Sequence, residues 1–141
     1  MKPTFIAETR PYLRFDTKYK RLYISRTTID ILGKKPYVQF LWNEKTHTLL
    51  VAGLDVKVRD SFAVEFTSTP NASGIWNECM FYKKAFMDAI ILRMKWDIGV
   101  SYKVFGHFAP GIGMAVFKLD GATVISEEVE DVGGSGGSDN G

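Results

Sequence analysis

The stretch of residues 13–53 constrains the fold of this chain more than any other part of its sequence. Residues 21–25 alternate as a β-strand does, and the short helical segment that follows ends at Gly33, where a left-handed cap is expected. Residues 37–42 and 48–52 are rich in β-forming side chains and flank a polar turn, which indicates a β-hairpin. The stretch therefore predicts a strand, a short helix capped by Thr27 or Thr28, and a hairpin.

The second half of the chain predicts a long helix followed by another hairpin. Apolar side chains recur at helical spacing over residues 75–95, and they cover more than half of the helix surface. Residues 100–105 and 114–119 have strand character and are joined by the glycine-rich segment 106–113. Residues 122–125 could add a short edge strand.

These elements predict the α+β class, with an N-terminal strand, short helix and β-hairpin lobe followed by a long helix and a second β-hairpin. We expect the first lobe to span residues 1–66 and the second to span residues 75–126. The segment 67–74, rich in Ser, Pro, Asn and Gly, is the predicted linker. Residues 127–141 are acidic and then rich in Gly and Ser, and this composition predicts a disordered tail.

The composition favours a cytoplasmic protein. No apolar run approaches the ~20 residues that a membrane-spanning helix needs, and the first residues lack the apolar core of a signal peptide. Cys79 is the only cysteine, which excludes an intramolecular disulfide.

No group of residues predicts catalysis or metal binding. His47, His107 and Cys79 are expected on a turn, a loop and a helix, without convergent ligands or a nucleophile–base motif. The segment 106–113 lacks the Gly-Lys-Ser/Thr sequence with which a phosphate-binding loop enters a helix. We therefore expect a protein that is not an enzyme and has no cofactor or metal.

Charge is distributed unevenly along the chain, although the formal net charge is only +2. Residues 1–60 contain 12 Lys and Arg against 6 Asp and Glu, whereas residues 61–141 contain 6 against 10. This polarity indicates an anionic partner for the first half, or electrostatic attraction between the two halves.

The basic cluster around the first strand contains the candidate DNA-binding residues. They are Arg14, Lys18, Lys20, Arg21 and Arg26. Arginine can contact phosphates or guanine edges with two hydrogen bonds, and lysine adds diffuse attraction. Tyr19 and Tyr23 place aromatic rings among these charges. The alternative is a solvated basic edge strand whose charges prevent aggregation.

The order of these residues resembles the AbrB/SpoVT-type swapped-hairpin DNA-binding domain over residues 13–53. Arg21 opens the strand, Leu32 and Gly33 end the short helix, and the hairpin follows. Ser25 stands where this family usually has proline, and residues 35–37 replace its customary acidic turn.

The resemblance implies a small transcriptional regulator that binds double-stranded DNA as a homodimer, with Arg21 and Arg26 as contacts and Arg14 and Lys20 beside them. The rest of the chain is similar to uncharacterised phage and mobile-element proteins of Gram-positive bacteria. The alternative function is a non-enzymatic inhibitor of a host nucleoprotein complex, such as a CRISPR effector nuclease (an anti-CRISPR), with a host protein as partner. A third hypothesis is a ligand-binding sensor.

Overall fold

A computed structural model describes residues 10–66 and 78–125 of the chain. The described strands are β1 (Tyr12–Asp16), β2 (Arg21–Ser25), β3 (Tyr37–Asn43), β4 (Thr48–Leu54), β5 (Ser61–Ala63), β6 (Glu78–Tyr82), β7 (Ser101–Ala109), β8 (Met114–Lys118) and β9 (Thr123–Ile125). The described helices are α1 (Arg26–Ile31), α2 (Lys84–Met94) and a 3-10 turn at Leu119–Gly121.

The strands form one antiparallel sheet that curls into a nearly closed barrel. Its order is β5-β3-β4-β8-β7-β1-β2-β6, and β9 pairs with the beginning of β7. The two ends of the sheet approach each other, because Phe66, just after β5, forms an isolated bridge with Cys79 of β6. The described part of the protein is therefore mostly β.

The predicted α+β fold with a long helix is wrong. Of the described residues of this predicted helix, 78–82 form β6, which pairs with β2, and only Lys84–Met94 is helical. In β6 the side chains of Cys79 and Phe81 are buried while those of Met80 and Tyr82 are exposed, a two-residue period. A short apolar run fits both the two-residue period of a strand and the 3.6-residue period of a helix. Pairing with β2 therefore determines that these residues form a strand.

The predicted linker 67–74 and tail 127–141 lie outside the described residues. Strands from the first 66 residues alternate in the sheet with strands from the second half of the chain: β4 pairs with β8, β1 with β7 and β2 with β6. No helix in the described ranges has the length and apolar character required to cross a bilayer.

Several local predictions are confirmed. The β3–β4 hairpin pairs from Tyr37 opposite Leu54 to Asn43 opposite Thr48. The short helix α1 is present and Gly33 has the expected left-handed backbone, with φ of 92°. Its cap, however, is the buried Ser25, whose Oγ accepts a hydrogen bond from the amide of Thr28 at 3.2 Å.

The two helices lie at opposite ends of the barrel. Arg21, the first residue of β2, is opposite Tyr82, so α2 begins at this end, whereas α1 continues from the other end of β2. The fully buried Met87 and Ile90 of α2 belong to the same core as the side chains inside the barrel. The buried side of α2 therefore coincides with part of the apolar surface predicted for residues 75–95.

Strand β7 changes its pairing partner at Gly106 and takes part in both halves of the barrel. Residues 101–105 pair with β1, and residues 106–109 pair with β8. A Cβ atom at Gly106 would lie 2.2 Å from the carbonyl oxygen of Val116, so only glycine permits this approach. The predicted long turn at residues 106–113 is therefore wrong, because β7 continues to Ala109.

Candidate functional site

The outer surface of β7, β1, β2 and β6 carries basic and aromatic side chains side by side. Alternate residues of these strands, such as Phe15, Ile24 and Val104, are buried in the barrel, so the residues between them face outward. We call this surface, with the adjoining β1–β2 turn, the cation–aromatic face. Its members are Arg10, Tyr12, Arg14, Lys18, Tyr19, Arg21, Tyr23, Met80, Tyr82, Lys103 and Phe105.

The strand register brings these side chains into rows. Arg14 of β1 lies opposite Lys103 of β7 on one side and opposite Tyr23 of β2 on the other. Tyr23 in turn lies opposite Met80 of β6. Directly opposed side chains on antiparallel strands have Cβ atoms about 4.5–5.5 Å apart, so each row is a continuous contact surface.

Cations lie over aromatic rings throughout this face. The Cζ atom of Arg14 is 3.8 Å from the centroid of the Tyr23 ring, and that of Arg10 is 3.8 Å from the centroid of the Phe105 ring. The Nζ atom of Lys103 is 4.2 Å from the centroid of the Tyr12 ring. These contacts restrict the side chains and so lower the entropy cost of binding a ligand here.

Glu78 is the carboxylate that pairs with Arg14. The Nη2 and Nε atoms of Arg14 donate to Oε1 and Oε2 of Glu78 at 2.7 and 3.1 Å, and the hydroxyl of Tyr12 donates to Oε2 at 2.8 Å. Burial raises the pKa of Glu78, but the hydrogen bonds from Arg14 and Tyr12 and the positive charges of Arg14 and Lys103 outweigh it and lower this pKa from its ordinary value. Arg14 is therefore held in place by a charged partner.

Lys18 lies in the turn between β1 and β2, and Arg21 follows this turn. The turn is shaped by Asp16, whose Oδ1 atom accepts hydrogen bonds from the backbone amides of Lys18 and Tyr19. The Tyr19 ring is 52% exposed, with the Nζ atom of Lys18 5.3 Å and the Cζ atom of Arg21 5.2 Å from its centroid. Within the described ranges Lys18, Arg21 and Lys103 form no ion pair. Lys18 is exposed, and Arg21 and Lys103 are half-buried.

The structure places three of the five predicted DNA contacts on the cation–aromatic face, whereas Lys20, although in the same turn, is bound to α2, and Arg26 lies at the other end of the barrel. Arg14, Lys18 and Arg21 belong to the cation–aromatic face. Lys20 instead pairs with Asp88 of α2 at 2.6 Å, and the hydrogen bond from Lys20 helps to lower the pKa of Asp88. Arg26 begins α1 at the opposite end of the barrel, with its Cζ atom 4.7 Å from the centroid of the Phe66 ring.

Six members of the face are not among the sequence candidates: Arg10 and Tyr12 precede the predicted basic cluster, and the other four come from the second half of the chain. Lys103 and Phe105 lie on β7, and Met80 and Tyr82 lie on β6. The alternation in residues 100–105 was a signal for an outward Lys103, but nothing local places β7 beside β1. Met80 lies within the predicted helix 75–95, and a helix would not place it beside Tyr23.

The residues examined for catalysis are dispersed in the structure. Cys79 lies on β6 rather than on a helix, and burial raises the pKa of its thiol to about 12, so it is a neutral thiol at physiological pH. The Nδ1 atom of His47 lies 2.8 Å from Oδ1 of Asp120, and His107 lies within β7 rather than at a loop tip. Across residues 10–66 and 78–125, no group of His, Cys, Asp and Glu could hold a metal ion.

Comparison of the chain with protein-family models, with curated proteins and with solved structures found no match. The resemblance of residues 13–53 to the swapped-hairpin domain therefore stays a prediction, as does the homodimer that it implies.

Proposed function

We propose that this protein binds nucleic acid through the cation–aromatic face. The observation that supports the proposal is the interleaving of outward cations, Lys18, Arg21 and Lys103, with aromatic rings on one surface of a rigid sheet. Cations contact phosphates, and aromatic rings contact sugars and bases, so this combination matches the two chemical components of a nucleic acid. The proposal concerns nucleic acid as a class, and the duplex-binding regulator that the sequence resemblance implies is one form of it.

The charge balance of the face favours an anionic polymer. Among the described residues of the face, Lys18, Arg21 and Lys103 form no ion pair, Arg14 pairs with Glu78, and Asp16 accepts hydrogen bonds from backbone amides of the turn. Binding of a nucleic acid to such a surface releases the counterions condensed on its phosphates, and affinity then falls steeply with salt. Salt dependence is therefore the first property to measure.

The test compares two double variants with equal changes in charge. Arg21→Ala/Lys103→Ala removes two outward cations of the face, while Lys45→Ala/Lys57→Ala removes two exposed lysines elsewhere on the described surface. Fluorescence anisotropy with a labelled DNA oligonucleotide is recorded for both variants and the wild type across a salt series. Circular dichroism verifies that both variants are folded.

We expect the wild type to bind and its affinity to decline linearly on a log–log salt plot. Arg21→Ala/Lys103→Ala should bind more weakly, with the slope reduced by about 2, because each lost phosphate contact removes about one unit. Lys45→Ala/Lys57→Ala should bind as the wild type does. The proposal is overturned if the wild type does not bind at about 50 mM salt, or if both double variants weaken binding equally.

A further inference from the structure

We infer that the ligand of the cation–aromatic face is a single strand whose bases stack on Tyr19 and Tyr82, rather than a duplex. This inference rests on the proposed function and names the kind of nucleic acid that this surface fits. Two independent features lead to it: the breadth of the sheet and the exposure of its aromatic rings.

The breadth of the sheet opposes insertion into a duplex groove. The basic strands β1 and β2 are interior strands, with β7 on one side and β6 on the other. Four strands spaced ~4.8 Å apart span ~14 Å between the outer strand axes, before side chains are added, whereas the major groove of B-DNA is about 12 Å wide. A two-stranded β-ribbon enters that groove, but β1 and β2 cannot enter it without their neighbours.

Neither helix provides this face with an element that could enter a groove of duplex DNA in place of the strands. Helix α1 has six residues, of which Thr28 and Ile29 are buried, and it lies at one end of the barrel. Helix α2 lies at the opposite end, where Met87, Ile90 and Ile91 are buried in the core. The ligand of the face therefore meets a broad sheet surface rather than a helix.

The exposed rings provide the second argument. Tyr82 is 61% exposed and Tyr19 is 52% exposed, and Arg21 lies between them, opposite Tyr82 in the register and with its Cζ atom 5.2 Å from the centroid of the Tyr19 ring. Met80, 40% exposed, continues this apolar surface along β6. In a duplex the bases already stack on one another, whereas the bases of a single strand can stack on tyrosine rings.

Together these side chains form a surface for one strand. Lys18, Arg21 and Lys103 contact its phosphates, and the rings of Tyr19 and Tyr82 receive its bases. Stacking of this kind tolerates any sequence because every base has a π face. We therefore expect a preference for single strands over duplexes with little dependence on sequence.

The experiment measures binding of labelled oligothymidylate and of the duplex that it forms with oligoadenylate. The oligothymidylate has about 20 nucleotides, which is more than the ~4–16 nucleotides that one small barrel covers. The wild type is compared with Tyr19→Ala/Tyr82→Ala and with Tyr19→Phe/Tyr82→Phe, which keeps both rings. Leu41→Ala/Leu92→Ala is the control, since it removes exposed apolar side chains from β3 and α2.

We expect the wild type to bind the single strand more tightly than the duplex. Tyr19→Ala/Tyr82→Ala should lose about tenfold or more in affinity for the single strand, without a change in salt slope, because stacking releases no counterions. Tyr19→Phe/Tyr82→Phe and the control should bind as the wild type does.

The outcomes separate this inference from the proposed function. If the protein binds neither oligonucleotide, the proposed function fails and the inference fails with it. If the duplex binds as tightly as the single strand, or if Tyr19→Ala/Tyr82→Ala binds the single strand normally, the inference is overturned while nucleic-acid binding stands. Both proposals are supported if Tyr19→Ala/Tyr82→Ala loses the preference for the single strand and Tyr19→Phe/Tyr82→Phe retains it.

Discussion

Replacing Gly106 by alanine should destabilise the barrel, because this residue allows β7 to pass from β1 to β8. The added Cβ atom would lie 2.2 Å from the backbone oxygen of Val116 and 2.5 Å from Cδ1 of the buried Phe117 ring. Cβ atoms in proteins essentially never lie within 3.0 Å of an atom from another part of the chain, so β8 or β7 has to move by roughly 1 Å. Neither neighbour is the flexible end of a long side chain.

The expected cost follows from this overlap. Overpacking of a well-packed interior lowers the free energy of unfolding by about 1–3 kcal/mol. Because sheet backbone has to move, we expect Gly106→Ala to lower it by about 3 kcal/mol. In a domain of this size each kcal/mol lowers the melting temperature by about 4 °C, so Tm should fall by about 12 °C. The loss is structural, and no change of charge accompanies it.

Thermal unfolding followed by circular dichroism measures the effect. Gly111→Ala is the matched control, because it lies in the turn of the same hairpin, has no neighbour within 4 Å of an added Cβ atom and does not have a left-handed backbone. We expect Gly111→Ala to change stability by no more than about 0.5 kcal/mol. If Gly106→Ala melts within about 2 °C of the wild type, the close approach of β7 and β8 is refuted.

Two further predictions concern the core and the ion pair. Met87 is fully buried, so Met87→Asp places a carboxylate in the core and should unfold the protein. Met87→Leu should lower the free energy of unfolding by less than about 1.5 kcal/mol. Circular dichroism distinguishes the two variants, and a folded Met87→Asp protein would contradict the packing of α2. The pKa of Glu78 is lowered from 4.5, since Arg14, Tyr12 and Lys103 outweigh the effect of burial. Its contribution to stability is complete above pH 4.5 and is lost as the pH falls through the folded-state pKa. Urea unfolding at about pH 6 and about pH 3 should show a smaller acid-induced loss for Glu78→Gln than for the wild type, and equal losses would contradict this assignment.

Elements whose residues are close together in the chain could be predicted from the amino-acid sequence. Strand β2, the β3–β4 hairpin, the left-handed Gly33 and the edge strand β9 all agree with their predictions. Each depends on alternation, turn chemistry or backbone freedom within a few residues, which are local properties. The basic character of Arg14, Lys18 and Arg21 was equally visible, so part of the candidate site could be predicted.

Which strands are neighbours, and therefore which side chains share a surface, depends on contacts between distant parts of the chain. Residues 78–82 fit a helix by periodicity, yet pairing with β2 made them a strand and placed Tyr82 beside Arg21. Lys20 has the same charge as Lys18, but the carboxylate of Asp88, distant in sequence, binds it at the end of the barrel. Such outcomes depend on burial and hydrogen bonding between distant segments, and local residue patterns do not contain that information.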